Sequence, residues 1–147
     1  MAKKNPLQPD KFELETTTIW SFPSRGKWAT HDAKYRGNWS PNIPRNVILR
    51  YSQEGDVVLD QFIGGGTTAV EAKLTYRNFV GFDINPEAVE TSRAKCSFNF
   101  EGDNILRLEC ADARMLPLEN ESIDLICTHP PYADIIHYSE NIEGDLS

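Results

Sequence analysis

Apolar residues in this chain come in short runs divided by polar turns. Val57-Val58-Leu59, Phe79-Val80-Gly81-Phe82, residues 105–110 and Ile123-Asp124-Leu125-Ile126-Cys127 each have the length of a buried strand rather than a helix. They predict strands over 57–62, 78–83, 105–110 and 122–127. Between them the period lengthens. A helix is expected over 67–77, starting near Thr67, and another from Pro86, which suits a first helical turn, to about Phe98. Upstream, Pro44 opens a short helix to Tyr51, with Val47, Ile48 and Tyr51 on one face. Gly55-Asp56 turns the chain into the first strand. Strand and helix alternating at this spacing imply an α/β fold, a mostly parallel sheet with helices on both faces. Residues 19–44, rich in Gly, Pro, Ser and Trp, have no sustained period and read as an irregular ordered segment. Residues 1–18 read as a polar N-terminal tail, leaving 19–147 as one domain. A chain of 147 residues can bury a moderate core.

Composition narrows the compartment and splits the charge. No apolar run approaches the roughly 20 residues of a membrane span, and Met1-Ala2-Lys3-Lys4-Asn5-Pro6 lacks an apolar leader. Cys96, Cys110 and Cys127 form no CxxC pair, which fits reduced thiols in the cytoplasm and no metal site. The net charge is −7, yet residues 1–50 hold nine Lys/Arg against four Asp/Glu, and residues 51–147 hold six against eighteen. Trp20, Trp28 and Trp39 all lie in the basic third, near Phe22 and Tyr35. Two roles suit such aromatics: stacking bases beside phosphate-binding cations, or burial in the core.

The first strand runs into Asp60-Gln61-Phe62-Ile63-Gly64-Gly65-Gly66-Thr67-Thr68. Glycines after a strand let backbone amides approach a ligand closely. Asp60 stands beside that turn, placed to meet a cationic amino group. Asp83 ends the next strand, where a carboxylate can accept both hydroxyls of a ribose. Asp112 follows the third strand, within reach of an adenine amino group. A dinucleotide site would want GxGxxG, but no third glycine follows in place, and without GKS or GKT a P-loop is excluded. Three acids at the ends of successive strands suit S-adenosylmethionine (SAM).

After the fourth strand comes His129-Pro130-Pro131-Tyr132. Two prolines fix two φ angles and remove two donors, so the neighbouring carbonyls are held as acceptors. Tyr132 offers a flat face for a base. An exocyclic amino nitrogen of cytosine or adenine is a poor nucleophile, because its lone pair is delocalised into the ring. Acceptors on its two hydrogens favour a pyramidal nitrogen with a directed lone pair, ready for direct methyl transfer. No Pro-Cys pair is present to support methylation at a ring carbon.

In these motifs the chain resembles the DNA methyltransferases that modify exocyclic amino groups. Their glycine motif is similar to residues 60–68, with Pro usual at Gln61 and Ser at Gly65. Their acidic motif is similar to Gly81-Phe82-Asp83-Ile84-Asn85-Pro86. Their (Asp/Asn/Ser)-Pro-Pro-Tyr motif is similar to residues 129–132, and Ser40-Pro41-Asn42-Ile43-Pro44-Arg45-Asn46 resembles the segment that touches the methionine end of SAM. The resemblance implies a Rossmann-like SAM-dependent methyltransferase fold and a DNA partner in a restriction-modification setting. It implies SAM contacts from Asp60, Phe62, Gly64, Gly66, Thr67, Thr68, Asp83, Ile84 (against the adenine) and Asp112 (on its amino group). His129, Pro130, Pro131 and Tyr132 would hold the base, and no metal is implied. Thr128 is similar to the first residue of the Thr-Ser-Pro-Pro-Tyr form of N4-cytosine enzymes, which favours cytosine N4 over adenine N6.

His129 stands where the family has an acceptor side chain. Neutral imidazole accepts one hydrogen bond and imidazolium none, so activity is expected to fall on acidification through about pH 6.5. Asp134, His137, Tyr138 and Glu140 follow the clamp and could line its substrate side. The sequence ends soon after the fourth strand, which reads as a fold incomplete at its C-terminus. Later strands and target recognition would then lie in a missing segment or a second chain. Two alternatives stay open: an inactive or split SAM-binding fragment needing a partner chain, and a methyltransferase acting on an RNA base or a protein glutamine.

Overall fold

The apolar runs do form a parallel sheet. A computed structural model describes residues 6–132 and 142–146. Its strands are β1 (Val57–Asp60), β2 (Asn78–Asp83), β3 (Leu106–Cys110) and β4 (Leu125–Ile126), and its helices α1 (Asn42–Tyr51), α2 (Thr67–Leu74) and α3 (Pro86–Cys96). The sheet order is β3-β2-β1-β4. All pairings are parallel, with Val58 opposite Phe79 on one side and Leu125 on the other. The chain leaves β1 toward β2 and β3, then returns to add β4 on the opposite side of β1. The gap between the C-terminal ends of β1 and β4 is therefore a topological switch point, where open α/β sheets bind ligands.

Ile48, Val58, Ala69, Val70, Phe79 and Phe82 are fully buried. Each large side chain among them contributes about 1.5–3 kcal/mol by leaving water. Helix α3 starts as its sequence suggests: Pro86 is in the first turn, and the Asn85 side chain accepts a bond from the Glu87 N–H. Helix α2 instead springs from Gly66 in the left-handed region, with no side-chain cap at Thr67.

Several bounds differ from expectation, each for a local reason. The first strand stops at Asp60 rather than residue 62, because the Phe62 N–H turns back to the Asp60 carboxylate. Helix α2 stops at Leu74, short of 77, because Tyr76 adopts a positive φ of 62°. Helix α1 starts at Asn42, before Pro44. Strand β4 pairs over two residues only.

The helices α1, α2 and α3 form one layer, α2 lying between the other two. Both crossovers run in the same direction along the sheet, so right-handed connections put α2 and α3 on one face. The second helical face expected from the sequence is not found among the described residues, since 111–124 hold no helix. Residues 6–18 lack helix and strand but are pinned. Gln8 Nε2 donates to the Leu74 carbonyl at 2.8 Å, and Asn46 Oδ1 accepts from the Glu15 N–H at 2.7 Å. All three cysteines are free, and burial pushes the Cys96 and Cys127 thiols up to about 12. No helix of the described residues is long and apolar enough to cross a membrane.

Candidate active site

The C-terminal ends of β1 and β2 and the segment after β4 open into one cleft. One wall is Asp60, Phe62, Ile63, Gly64, Gly65, Asp83, Ile84 and Asn85; the facing wall is residues 35–39, and His129, Pro131 and Asp145 complete it.

Asp60 is only 2% exposed. Its Oδ1 accepts from the Phe62 N–H at 3.0 Å and the Thr128 hydroxyl at 2.7 Å, and its Oδ2 accepts from the Thr68 hydroxyl at 2.7 Å. Burial outweighs these bonds and pushes the carboxyl up to about 6. Asp60 thus acts first as a joint: it ties the end of β1 to the start of α2 and to the residue preceding the His-Pro-Pro-Tyr run. Beyond β4 that run hangs on two bonds, the Cys127 N–H to the Leu59 carbonyl and the Thr128 hydroxyl to Asp60. Thr128→Val should therefore destabilise the chain by about 1–3 kcal/mol, with Thr128→Ser near wild type. Urea denaturation of the two variants checks this, and equal stabilities would remove the joint.

Asp83 Oδ2 accepts from the Gly64 N–H at 2.9 Å and Oδ1 from the Asn85 N–H at 3.0 Å, so it clamps the glycine turn to the end of β2. Burial raises its carboxyl, and the Asp145 carboxylate adds to the rise. Among the described residues neither Asp60 nor Asp83 has a Lys, Arg or His at ion-pair distance. The cleft carries negative charge that a cationic ligand would neutralise.

The glycine turn is shaped by its own neighbours. Gly64 has φ +46°, and a Cβ on Gly65 would stand 2.7 Å from the Tyr35 Cβ. Only glycine lets residues 35–39 lie this close. The Thr67 hydroxyl then donates to Asn38 Oδ1 at 2.5 Å, fastening that strap to α2.

At the far end the His129 ring stacks on Trp39, with centroids 5.0 Å apart and planes 4° from parallel. Its Nε2 lies 2.7 Å from the Tyr132 hydroxyl. Burial holds the imidazole below its ordinary 6.5, so it is neutral at physiological pH. Tyr132 is 43% exposed and Pro130 is also exposed, while Pro131 lines the cleft.

Of the residues singled out from the sequence, Asp60, Phe62, Gly64, Asp83, Ile84, His129 and Pro131 line this cleft. Gly66, Thr67, Thr68, Asp112, Pro130 and Tyr132 do not. Gly66 faces Ser92, Thr67 and Thr68 are spent on Asn38 and Asp60, and Tyr132 reaches the cleft only through His129. The Asp112 carboxylate is held by Arg114, at 2.6 Å from Nη2, which keeps it well down at about 2, and Gly144 stands beside it. Asp134, His137, Tyr138 and Glu140 lie outside the described residues. The aromatics of the basic third divide: Trp28 is core, its Nε1 on Glu71, whereas Trp39 lines the cleft. Tyr35, Arg36, Gly37 and Asn38 were missed as cleft residues. Tyr35 lay among the aromatics flagged, but no local period marks the stretch.

The family model described as DNA methylase matches residues 2–94, and one described as a methyltransferase domain matches residues 59–142. The Type II methyltransferase M.BglI of Bacillus subtilis is 40% identical over 74 residues, covering 50% of this chain and 20% of that protein. The tRNA (guanine(10)-N2)-dimethyltransferase of Methanothermobacter thermautotrophicus is 33% identical over 100 residues, covering 67% of this chain and 29% of that one. The crystal structure of TrmN from Thermus thermophilus aligns with a TM-score of 0.54 and 28% identity, over 65% of this chain and 30% of its own. The chain spans between a fifth and a third of the length of these relatives.

Proposed function

The chain belongs to the DNA methylase family, and from that membership we propose that it transfers a methyl group from SAM to an exocyclic amino nitrogen of a DNA base, N4 of cytosine before N6 of adenine. One observation carries the proposal: the glycine turn with Asp83 and the His129–Pro131 segment, distant in sequence, line a single cleft. The residues present fit SAM. Among the described residues Asp60 and Asp83 are carboxylates without a cation at ion-pair distance, which favours a sulfonium ligand over an anionic nucleotide. SAM supplies an electrophilic methyl group.

The chain's own residues do the rest. The outer lone pairs of Asp83 accept ribose hydroxyls, Ile84 gives the adenine an apolar wall, and Gly64 and Gly65 let the backbone approach. Pro130 and Pro131 hold the carbonyls around them in place as acceptors for the amino hydrogens of the base, and Tyr132 stacks on its ring. His129 is neutral and so competent to accept, but its Nε2 is engaged by Tyr132, so base binding requires that bond to be exchanged. With burial depressing the imidazole, the acidic limb of the rate profile falls below pH 6.5 rather than at it. A flat profile from pH 5 to 8 would remove His129 from the reaction.

A second reading, methylation of an RNA base, is favoured by the tRNA-modifying relative. Both readings require SAM. Calorimetry should show Asp83→Ala weakening SAM binding by about 1–3 kcal/mol, the scale of a lost hydrogen bond involving a charged group. Unchanged affinity would remove Asp83 from the cofactor site. The work of this chain belongs in the cytoplasm, with DNA, and any further segment or partner chain would add target recognition.

A further inference from the structure

We propose that Trp39 is the positioning residue of the base site: its indole, held rigid by the N-terminal strap, sets the plane of the His129 imidazole. The two rings come from opposite ends of the chain, yet both line the cleft and lie 4° from parallel at 5.0 Å. This is a stacked pair in which one partner is far better anchored than the other.

Trp39 is fixed from several sides. Arg25 Nη2 donates to the carbonyls of Asn38 and Trp39, both at 2.8 Å, and the Ser40 hydroxyl donates to the Arg25 carbonyl at 2.8 Å. Asn38 is fastened to Thr67, and α1 begins at Asn42. His129 follows a two-residue strand and is followed by two prolines, so its backbone is set but its ring is free to turn about χ1 and χ2. Stacking removes that freedom. It aims Nε2 at the Tyr132 hydroxyl, 2.7 Å away, and shields one ring face from water. Trp28, by comparison, is a core residue with its Nε1 on Glu71. Trp39 is half-buried: it packs against the edge of that core and stacks on the His129 ring.

Among the described residues the charged groups lining the same cleft are Asp60, Asp83, Asp145 and Arg36, and the polar groups on the segment of His129 itself are Thr128 and Tyr132. Nearby carboxylates would stabilise imidazolium, so the depressed titration of His129 follows from burial. Trp39 supplies part of that burial. The positioning role rests on the reading that His129 serves the base.

The test is NMR on the full chain without ligand, followed by methyl transfer to DNA. In the wild type, cross-relaxation peaks should join the Trp39 indole to the His129 ring protons. Those protons should lie upfield, and the ring should titrate below 6.5. A His129→Asn variant assigns the signals. Trp39→Leu should move the titration toward 6.5 and the ring protons downfield, and Trp39→Phe should keep both near wild type. In transfer assays Trp39→Leu should lower kcat with the KM for SAM unchanged. Absent cross-peaks in the wild type, or an unmoved titration in Trp39→Leu, would overturn the proposal. If Trp39→Leu fails to fold, the wild-type cross-peaks and the Trp39→Phe titration decide. A stack that is present while the wild type methylates no DNA would leave the positioning intact and reject the functional reading.

Discussion

Glu71→Ala is expected to destabilise the protein by about 3–5 kcal/mol, the scale for breaking a buried ion pair from one side. Glu71 lies on α2 with no exposed surface, and its carboxylate is a hub. Oε1 accepts from Trp28 Nε1 at 2.7 Å and meets His31 Nε2 at 2.6 Å, and Oε2 accepts from Arg45 Nη1 at 2.8 Å. Arg45 also donates to Gln8 Oε1 at 2.6 Å. One carboxylate therefore gathers the N-terminal segment, the strap leading to the cleft, α1 and α2. Removing it leaves the guanidinium of Arg45, itself 9% exposed, without its charge partner. The pair need not be worth that much against an apolar replacement of both partners; the cost comes from stranding one of them. Glu71→Gln keeps an acceptor and should lose less. Urea unfolding measures both variants, and a loss under about 1 kcal/mol for Glu71→Ala would show that the segments are held by other contacts.

The second large effect concerns pH. The Asp60 carboxyl is raised from 3.8 to about 6. The folded state therefore holds a proton between those values that the unfolded chain has released. Stability then falls as pH rises through that window, by up to about 3 kcal/mol from this one group. Asp60→Asn should abolish that fall and be the more stable protein at pH 8. The amide oxygen can still accept from Phe62 and Thr128, and the amide nitrogen can donate to the Thr68 hydroxyl. Unfolding at pH 4, 6 and 8 reads the slope directly, and parallel slopes in the two proteins would mean that Asp60 is not buried as a charge. If the carboxylate also serves a cationic ligand, Asp60→Asn trades binding for stability, as sites held under strain commonly do.

Much of the fold was legible because local signals agreed with it. Val57-Val58-Leu59 is apolar at strand length, the glycines follow at once, and Pro86 with Asn85 marks the start of α3. Asp83 could be placed because its position at a strand end suffices. Strand β4 is shorter than its apolar run: Ile123 and Cys127 continue that run, but the paired register covers only Leu125 and Ile126, with the Asp124 and Cys127 N–H groups still donating to the Val57 and Leu59 carbonyls of β1. The inward turn of Asp60 depends on Thr128, far along the chain, and no window around Asp60 contains that fact. The bonds from Arg114, two residues on, to the Asp112 carboxylate follow from the turn after β3, which the motif pattern does not specify. The strap at 35–39 has no period, and its place is set by glycine contacts and the Glu71 hub. A glutamate inside a helix looks the same in sequence whether it is solvated or buried.

The most direct test of the central claim is to incubate the protein with SAM carrying an isotope-labelled methyl group and with DNA, then digest the DNA and identify labelled nucleosides by mass spectrometry. The account predicts label in N4-methylcytosine or N6-methyladenine, lost in Tyr132→Ala while SAM binding is kept. Label in tRNA or in protein alone, or none in DNA from a protein saturated with SAM, would contradict it.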